Sequence, residues 1–396
     1  MAFQTSVRLL VLFFATFAAG NAFGSTVLPT GSGPFNSTLH ITELVDSNRV
    51  DPYNSTHLRR IMISRFDPVL PRDCGHTQLV PYFPPIVATA EDAILEPLDY
   101  PTGLWGQLQL QVCSGTHSDR DDKYKAAKFP LVLFSPGLNT TRLWYSILAQ
   151  EIASRGYTVV AVDHPYDADV VLFPDGTVAY GGAVTKPTNG STASVEQALE
   201  VRTADIAFVM DTLGVGADVP VLMFGQSFGG AASATAMLHD GRIRGGVNLD
   251  GTMFGPVLTQ GFHHPLKNPP SPQGQSFILW GTQGHNATSG SDEAWAQFWA
   301  TIGAEGVDGI AWKRELSLKD GFHGSFWDLN VLVDVLGIRD GLSDLAQLLV
   351  SPVKGAKAYE IAGVYLSAFF EQVLTGKREA ILETDSSRYP EVVILH

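Results

Sequence analysis

The chain has 396 residues, of which 45% are hydrophobic, and its 26 Lys and Arg are outnumbered by 40 Asp and Glu, giving a formal charge of −14. This acidic balance without a basic cluster excludes nucleic acid as a partner, because phosphate binding needs grouped Lys and Arg. The length and apolar content fit one large soluble enzyme domain with insertions.

The first residues, 1–24, predict a secretory signal peptide. Arg8 precedes an apolar run from Leu9 to Ala19, and small residues follow from Gly20 to Gly24. The run is shorter than the ~20 apolar residues of a membrane-spanning helix. We therefore expect a secreted, extracellular protein.

Two further features fit an extracellular location. Cys74 and Cys113 are the only cysteines and predict one disulfide in an oxidising compartment; two unpaired buried thiols are the alternative. Five asparagines stand in N-x-S/T sequons and are candidate glycan acceptors: Asn36, Asn54, Asn139, Asn189 and Asn286.

The order of apolar segments predicts the domain organisation. Residues 25–57, rich in Ser, Thr, Gly and Pro, indicate an extended N-terminal arm, and 58–396 indicate a single α/β-hydrolase catalytic domain. Strand-like runs at 58–66 and 108–112 predict an antiparallel N-terminal edge of the sheet. From residue 129 short buried runs alternate with amphipathic segments, which predicts a mostly parallel central sheet with helices on both faces. The expected strands lie within 129–137, 157–165, 219–224, 243–249, 276–280 and 314–318, and helices lie at 194–213 and from 228.

Four other segments leave alternatives open. The turn-rich insertions 181–192 and 255–275 either wall the substrate pocket or are plain surface loops. The amphipathic stretches 344–350 and 362–373 either touch a lipid surface transiently or pack onto the sheet.

The motif Gly225-Gln226-Ser227-Phe228-Gly229 predicts the nucleophile. It follows an apolar strand and precedes a run of small residues, the strand-to-helix context that a G-x-S-x-G nucleophile elbow requires. Glycines at 225 and 229 are needed because a side chain there would collide with neighbouring backbone. Ser227 is therefore the expected nucleophile.

The general base is expected late in the chain, after the last strand. Of the eleven histidines, only His323 follows a late strand and stands in a glycine-flanked turn. His164, at the end of an earlier strand, is the one serious rival, but it precedes Ser227.

The acid that orients this histidine is predicted to be Asp250. It ends the run RGGVNLD and is followed by Gly251, which places a carboxylate beside the nucleophile turn. The alternative is Asp292, which follows the next strand but lies at the start of a predicted helix, where an aspartate more often caps.

The oxyanion hole needs two backbone N–H groups, one of them from the residue after the nucleophile, Phe228. The second is expected from Leu138, because Gly137 permits a tight turn in the loop FSPGLNTTR. The alternative is that this loop is merely a turn.

At these residues the chain resembles the platelet-activating-factor acetylhydrolase family, the plasma type and its fungal relatives, over roughly residues 58–370. The matching segments are LVLFSPGL, SRGYTVVAVDH, FGQSFGG, NLDGTMF and HGSFWDL. The resemblance implies the α/β-hydrolase fold, the same catalytic and oxyanion roles, independence from calcium, and cleavage of short or oxidised sn-2 acyl groups of phospholipids. The chain departs from the animal enzymes in having Ser-Pro before the glycine of the oxyanion loop and a different Pro-rich loop after Phe254.

The expected function is therefore hydrolysis of short-chain carboxylic esters through an acyl-enzyme, with no metal or organic cofactor. A cutinase, lipase or polyester esterase is the alternative among enzymes. A hydrolase-fold protein that only binds a partner is the alternative outside them. The sequence does not indicate the oligomeric state.

Overall fold

The computed structural model of the chain describes residues 25–114, 129–262, 274–288, 290, 292–303 and 309–396. The predicted signal peptide, 1–24, lies outside them. The strands are β1 Thr26–Val27, β2 Asn36–Val50, β3 Leu58–Val69, β4 His76–Pro81, β5 Leu108–Ser114, β6 Leu131–Ser135, β7 Thr158–Val162, β8 Val170–Leu172, β9 Val178–Tyr180, β10 Val221–Gln226, β11 Ile243–Leu249, β12 Gln275–Thr282, β13 Ile310–Leu318 and β14 Val392–Ile394. The helices are α1 Pro85–Leu95, α2 Ser146–Ala153, α3 Ala193–Thr212, α4 Phe228–His239, α5 Glu293–Thr301, α6 Leu329–Val335, α7 Asp344–Gln347 and α8 Gly355–Thr375.

The predicted α/β-hydrolase fold is confirmed. Among the described residues the main sheet has the order β14-β13-β12-β11-β10-β6-β7-β3-β2. Its six central strands, β13 to β7 in that order, are parallel, and antiparallel strands close both ends. Strands β6, β7 and the first part of β10 are nearly continuous apolar runs because helices cover both faces of the sheet.

Alternating side chains of each strand enter two separate cores. On β6, Val132 and Phe134 pack with α2 and α8, whereas Leu131 and Leu133 pack with α3 and α4 on the opposite face. This period of two is the geometry of a pleated strand. The sheet is therefore buried on both faces. A site for a substrate can form only at the ends of the strands.

The prediction of an extended arm over 25–57, in place of a packed element, is wrong for residues 36–50. Residues Asn36–Val50 form a 15-residue strand paired antiparallel with Leu58–Val69 at the sheet edge. The strand is largely solvent-exposed on its outer side, so it needs few apolar residues and its polar composition resembles that of a loop. Its stability comes from the hydrogen-bonded pairing, which composition does not reveal.

The prediction that the strand at 108–112 lies at the N-terminal edge of the main sheet is also wrong. It is part of β5, which joins β1 and β4 in a separate three-stranded sheet rather than the edge of the main sheet. The predicted disulfide between Cys74 and Cys113 is present, with its Cα atoms 5.5 Å apart. It ties the segment before β4 to the end of β5.

The two amphipathic stretches differ in what they contact. Residues 362–373 lie in α8, whose buried side chains include Tyr365, Phe369 and Phe370, so this stripe packs onto the sheet. In the segment 344–350, Leu345 and Leu348 remain 41% and 68% exposed. No helix within the described ranges has the length and hydropathy needed to cross a membrane.

Candidate active site

The predicted site residues converge at one edge of the sheet. The oxyanion loop follows β6, Ser227 follows β10, Asp250 follows β11 and His323 follows β13. Because these strands are parallel, their carboxyl ends meet at the same edge. Strand β10 lies between β6 and β11, so the oxyanion loop and the acid flank the nucleophile.

Ser227 stands at the turn between β10 and α4 in a left-handed conformation, with φ 54° and ψ −125°. A Cβ at Gly225 would lie 2.1 Å from the carbonyl carbon of Gly229, and one at Gly229 would lie 1.8 Å from the carbonyl oxygen of Ser135. Gly251 is equally constrained, because its Cβ would lie 1.8 Å from the carbonyl oxygen of Ser227. These contacts give the physical reason for the glycines around the serine.

The loop after β6 is held by the buried Arg202 of α3. Its guanidinium donates to the carbonyl oxygens of Pro136 at 2.6 Å and Gly137 at 3.2 Å and pairs with Asp167. In a trans peptide the C=O and N–H point in opposite directions. Fixing the Gly137 carbonyl toward Arg202 therefore turns the N–H of Leu138 away from the protein interior.

The same arginine contacts the other predicted oxyanion residue. Its Cζ lies 4.5 Å from the ring centroid of Phe228, a cation–π distance. The amide of Phe228 is the first of α4, where an N–H has no partner within the helix. One buried cation thus contacts both segments that carry the predicted oxyanion donors.

Asp250 and His323 are joined by a hydrogen bond. His323 Nδ1 lies 2.7 Å from Asp250 Oδ2, and the carboxylate is buried whereas the imidazole is 54% exposed. Oδ1 of Asp250 accepts from the backbone N–H of Thr282 at 2.8 Å and from its hydroxyl at 2.9 Å. Burial alone would raise the pKa of Asp250, but hydrogen bonds from His285 and His323 outweigh it and hold the pKa well below its usual value.

The other ring nitrogen of His323 faces Gln226, the residue before the nucleophile. Gln226 Nε2 lies 3.1 Å from His323 Nε2 and also donates to the His323 carbonyl at 3.2 Å, while Gln226 Oε1 accepts from the hydroxyl of Tyr145. An amide donor at Nε2 fits a neutral imidazole whose proton is on Nδ1. Ser227 Oγ has no hydrogen bond to any described residue, and catalytic contacts of this kind often tighten only with substrate bound.

A second histidine, His285, also contacts the predicted acid. Its Nδ1 lies 2.9 Å from Asp250 Oδ1, and its Nε2 lies 3.2 Å from Asp292 Oδ2. Asp292 additionally caps α5 by accepting from the N–H of Ala294, as predicted from its position. The two carboxylates that the sequence presented as rivals are therefore bridged by one imidazole, and Asp250 is the one that contacts His323.

His164, the rival base, is fully buried away from solvent. Its Nδ1 lies 3.0 Å from Asp205 Oδ2 and its Nε2 lies 3.1 Å from Ser135 Oγ. Burial, followed by the nearby Arg202 cation, lowers the pKa of His164. Both ring nitrogens have structural partners, which favours a packing role.

Three residues of the site were not predicted: Gln226, His285 and Arg202. Gln226 is the variable position of the serine motif, His285 lies in the turn after β12, and Arg202 is an arginine within the predicted helix 194–213. Of the three, only Gln226 has a positional indication in the sequence, because it lies between the two glycines of the G-x-S-x-G motif. The other two contacts join segments far apart in the chain.

The remaining predictions concern the surroundings of the site. Within the described ranges, no group of three or more His, Cys, Asp or Glu could hold a metal ion. Part of the insertion 255–275, residues 263–273, lies outside the described residues, and its pocket-forming role stays a prediction. Of the predicted glycan acceptors, Asn36, Asn139 and Asn189 are exposed, whereas Asn54 and Asn286 are half-buried.

Comparison with known proteins places this geometry among esterases. The family model for platelet-activating factor acetylhydrolase, isoform II, matches residues 104–171, which include the oxyanion loop. A protein of Arthroderma benhamiae, named a probable 1-alkyl-2-acetylglycerophosphocholine esterase, is 38% identical over 94% of each chain. A platelet-activating factor acetylhydrolase of Cavia porcellus is 30% identical over 32% of this chain and 36% of that protein. Among solved structures, a ferulic acid esterase from Streptomyces cinnamoneus has a TM-score of 0.73 at 25% identity, covering 94% of this chain and 100% of that one.

Proposed function

We propose, from the premise that this chain belongs to the platelet-activating-factor acetylhydrolase family and is a carboxylic ester hydrolase, that Ser227, His323 and Asp250 form its catalytic triad. The observation that supports this most directly is the 2.7 Å hydrogen bond between Asp250 and His323 at the strand edge that also carries Ser227. The left-handed turn at Ser227 lifts its side chain out of the sheet.

In the first half-reaction, Ser227 Oγ attacks the ester carbonyl carbon while His323 Nε2 takes the hydroxyl proton. His323 then gives that proton to the oxygen of the leaving alcohol. Asp250 accepts a hydrogen bond from the Nδ1–H of His323 throughout, which keeps that proton on Nδ1 and leaves Nε2 free to act as the base. In this resting structure Nε2 faces Gln226, so the side chain of Gln226 must yield that nitrogen when substrate binds.

In the second half-reaction, His323 removes a proton from water, whose oxygen attacks the acyl carbon; the tetrahedral intermediate then collapses to the carboxylic acid, and His323 returns the proton to the departing Ser227 Oγ. The negative oxygen of each tetrahedral intermediate is bound by the N–H groups of Leu138 and Phe228. Arg202 holds the Leu138 peptide in the required orientation before substrate arrives. Each step uses only groups of this chain, so the proposed mechanism needs no cofactor.

The proposed substrates are esters with short acyl groups, including sn-2 acetyl phospholipids. The relative from Arthroderma benhamiae is named for cleaving this class of lipid. The support within this chain is the aromatic pair Phe228 and Phe254, which follow the proposed nucleophile and acid and whose ring centroids lie 6.2 Å apart; Met253 is buried. Bulky rings close to the scissile carbonyl leave little room for a long acyl chain.

We expect kcat/KM on p-nitrophenyl esters to fall by about tenfold or more from butanoyl to dodecanoyl, because one methylene in a pocket changes binding by about 1–3 kcal/mol. The measurement is a rate series of increasing acyl length, with an sn-2 acetyl phospholipid and a feruloyl ester in parallel. Faster cleavage of dodecanoyl than of acetyl and butanoyl esters would instead assign the enzyme to the lipases.

The exposed apolar residues beside His323 support transient contact with a lipid surface. Phe322 is 46% exposed directly before the histidine, and Leu345 and Leu348 lie in a segment that touches the same turn, since a Cβ at Gly324 would be 1.8 Å from the carbonyl oxygen of Leu349. Apolar side chains at the mouth of a site favour partition toward an aggregated ester substrate. Activity that rises as the substrate passes from monomers to vesicles would support this contact. The oligomeric state can be measured on the same purified sample.

Secretion belongs to the same proposal. The predicted signal peptide 1–24, the disulfide and the exposed sequons at Asn36, Asn139 and Asn189 support an extracellular location. Mass spectrometry of the protein from culture medium tests it: a mature chain beginning near Ser25 with glycans supports secretion, and an intact N-terminus inside the cell contradicts it.

A further inference from the structure

His285 occupies an unusual position for a residue outside the triad. Its ring lies between two carboxylates, with Nδ1 2.9 Å from Asp250 and Nε2 3.2 Å from Asp292. It is 20% exposed and contacts Trp295, with ring centroids 4.0 Å apart and ring planes tilted by 34°. The turn that carries it is fixed because its N–H donates to the Thr282 carbonyl at 3.1 Å.

The hydrogen-bond pattern defines the protonation state of this ring. An ionised carboxylate is only an acceptor, and a neutral imidazole donates from one nitrogen only. Because both nitrogens of His285 face carboxylate oxygens, both contacts are satisfied together only by the imidazolium. His323 differs, since one nitrogen faces Asp250 and the other faces the amide group of Gln226.

The charges around His285 keep it protonated at neutral pH. Burial alone would lower its pKa, but the hydrogen bonds that His285 donates to Asp250 and Asp292 outweigh burial and raise the pKa of His285 to about 9. The remaining carboxyl that faces the cluster is Glu315 of β13, which lies 3.7 Å from His396 and also interacts with Lys313. The carboxyl groups of Asp250, Asp292 and Glu315 therefore all favour the protonated form of His285.

We propose that His285, as an imidazolium held between Asp250 and Asp292, is a positioning residue that occupies one oxygen of Asp250 and sets the acid limit of the activity of His323. The inference rests on the proposed triad. The cation shares the negative charge of Asp250, so the carboxylate attracts a proton on His323 less strongly.

His285→Gln should therefore move the acid limb of the kcat/KM profile to higher pH. The substitution removes the charge but keeps a hydrogen-bond donor toward Asp250. We expect the pH of half-maximal kcat/KM to rise by about one unit, a change of about tenfold in rate below that pH. The value of kcat/KM on the high-pH plateau should change by much less than this factor of about ten.

Two further variants separate charge from structure. His285→Arg keeps a cation between the carboxylates and should return the midpoint toward that of the wild type. His40→Gln removes an exposed histidine from β2, at the far edge of the sheet, and should leave the profile unchanged. An unchanged midpoint in folded His285→Gln overturns the proposal, as does a shift of equal size in His40→Gln.

The pH dependence of the stability of the folded protein should report the same positive charge on His285. Because the pKa of His285 rises from its usual 6.5 to about 9 on folding, its stabilisation is fully present below pH 6.5 and is lost as pH rises through about 9. The difference in urea midpoint between wild type and His285→Gln should therefore be large at pH 6 and shrink by pH 10. A difference that stays constant across this range contradicts the charged state.

Spectra of the wild type test the inference without any variant. In ¹⁵N-histidine-labelled protein at pH 7.5, His285 should show both ring nitrogens protonated, and His323 should show one. A neutral tautomer of His285 at this pH overturns the proposal. Failure of the triad itself would appear separately, as esterase activity retained by Ser227→Ala, and would leave the protonation of His285 unaffected.

Discussion

Ser227→Ala is expected to lower kcat/KM on every ester that the wild type cleaves by about a millionfold, while the folded state is kept. In the proposed mechanism the oxygen that is removed forms the acyl-enzyme, and no described residue depends on it for a hydrogen bond. Alanine also requires no new backbone strain, because serine already adopts φ 54° at this position. The measurement is kcat/KM on p-nitrophenyl acetate, with unfolding curves to verify the fold.

Ser233→Ala is the matched control for that experiment. Ser233 is a fully buried serine on the same helix, α4, and its hydroxyl contacts only the Met223 carbonyl, at 3.3 Å. Its loss should change kcat/KM by less than a few-fold, and a serine-reactive phosphonate should still label the protein. More than trace activity in Ser227→Ala, or phosphonate labelling of that variant, would show that another residue is the nucleophile.

The second large effect is expected at the acid: Asp250→Asn should lower kcat by up to about ten-thousandfold. The N–H of Thr282 and the imidazolium of His285 both donate to the Oδ1 position, so the carbonyl oxygen of an asparagine must lie there. Its NH₂ group then faces His323 Nδ1, which can only accept. The proton is forced onto Nε2, the atom that must take the proton of Ser227.

Asp292→Asn is the matched control for the acid. Asparagine is an equally good N-cap, so the contact with the Ala294 N–H is kept and α5 should remain folded. We expect a change in plateau kcat of less than a few-fold, because Asp292 reaches His323 only through His285 and Asp250. If Asp292→Asn caused the large loss and Asp250→Asn the small one, the role of the acid would pass to Asp292.

Much of the fold could be predicted because its determinants are local. The apolar runs of β6, β7 and the first part of β10 are nearly continuous since both faces of the sheet are covered, and each run is bounded by turn residues. The N-terminal region was predicted incorrectly because β2 is held by pairing with β3, and its polar, half-exposed residues do not indicate a strand by composition.

The sequence by itself determined the fold class, the strand-to-helix turn at Ser227 and the positions of Asp250 and His323 at strand ends. Each of these depends on short-range patterns or on chain order within a parallel sheet. Only the tertiary structure decided that Asp250 rather than Asp292 contacts His323, that His285 bridges both carboxylates, and that Arg202 holds the oxyanion loop. These contacts join loops after different strands and helices, and their geometry depends on differences of a few ångströms that spacing along the chain does not encode.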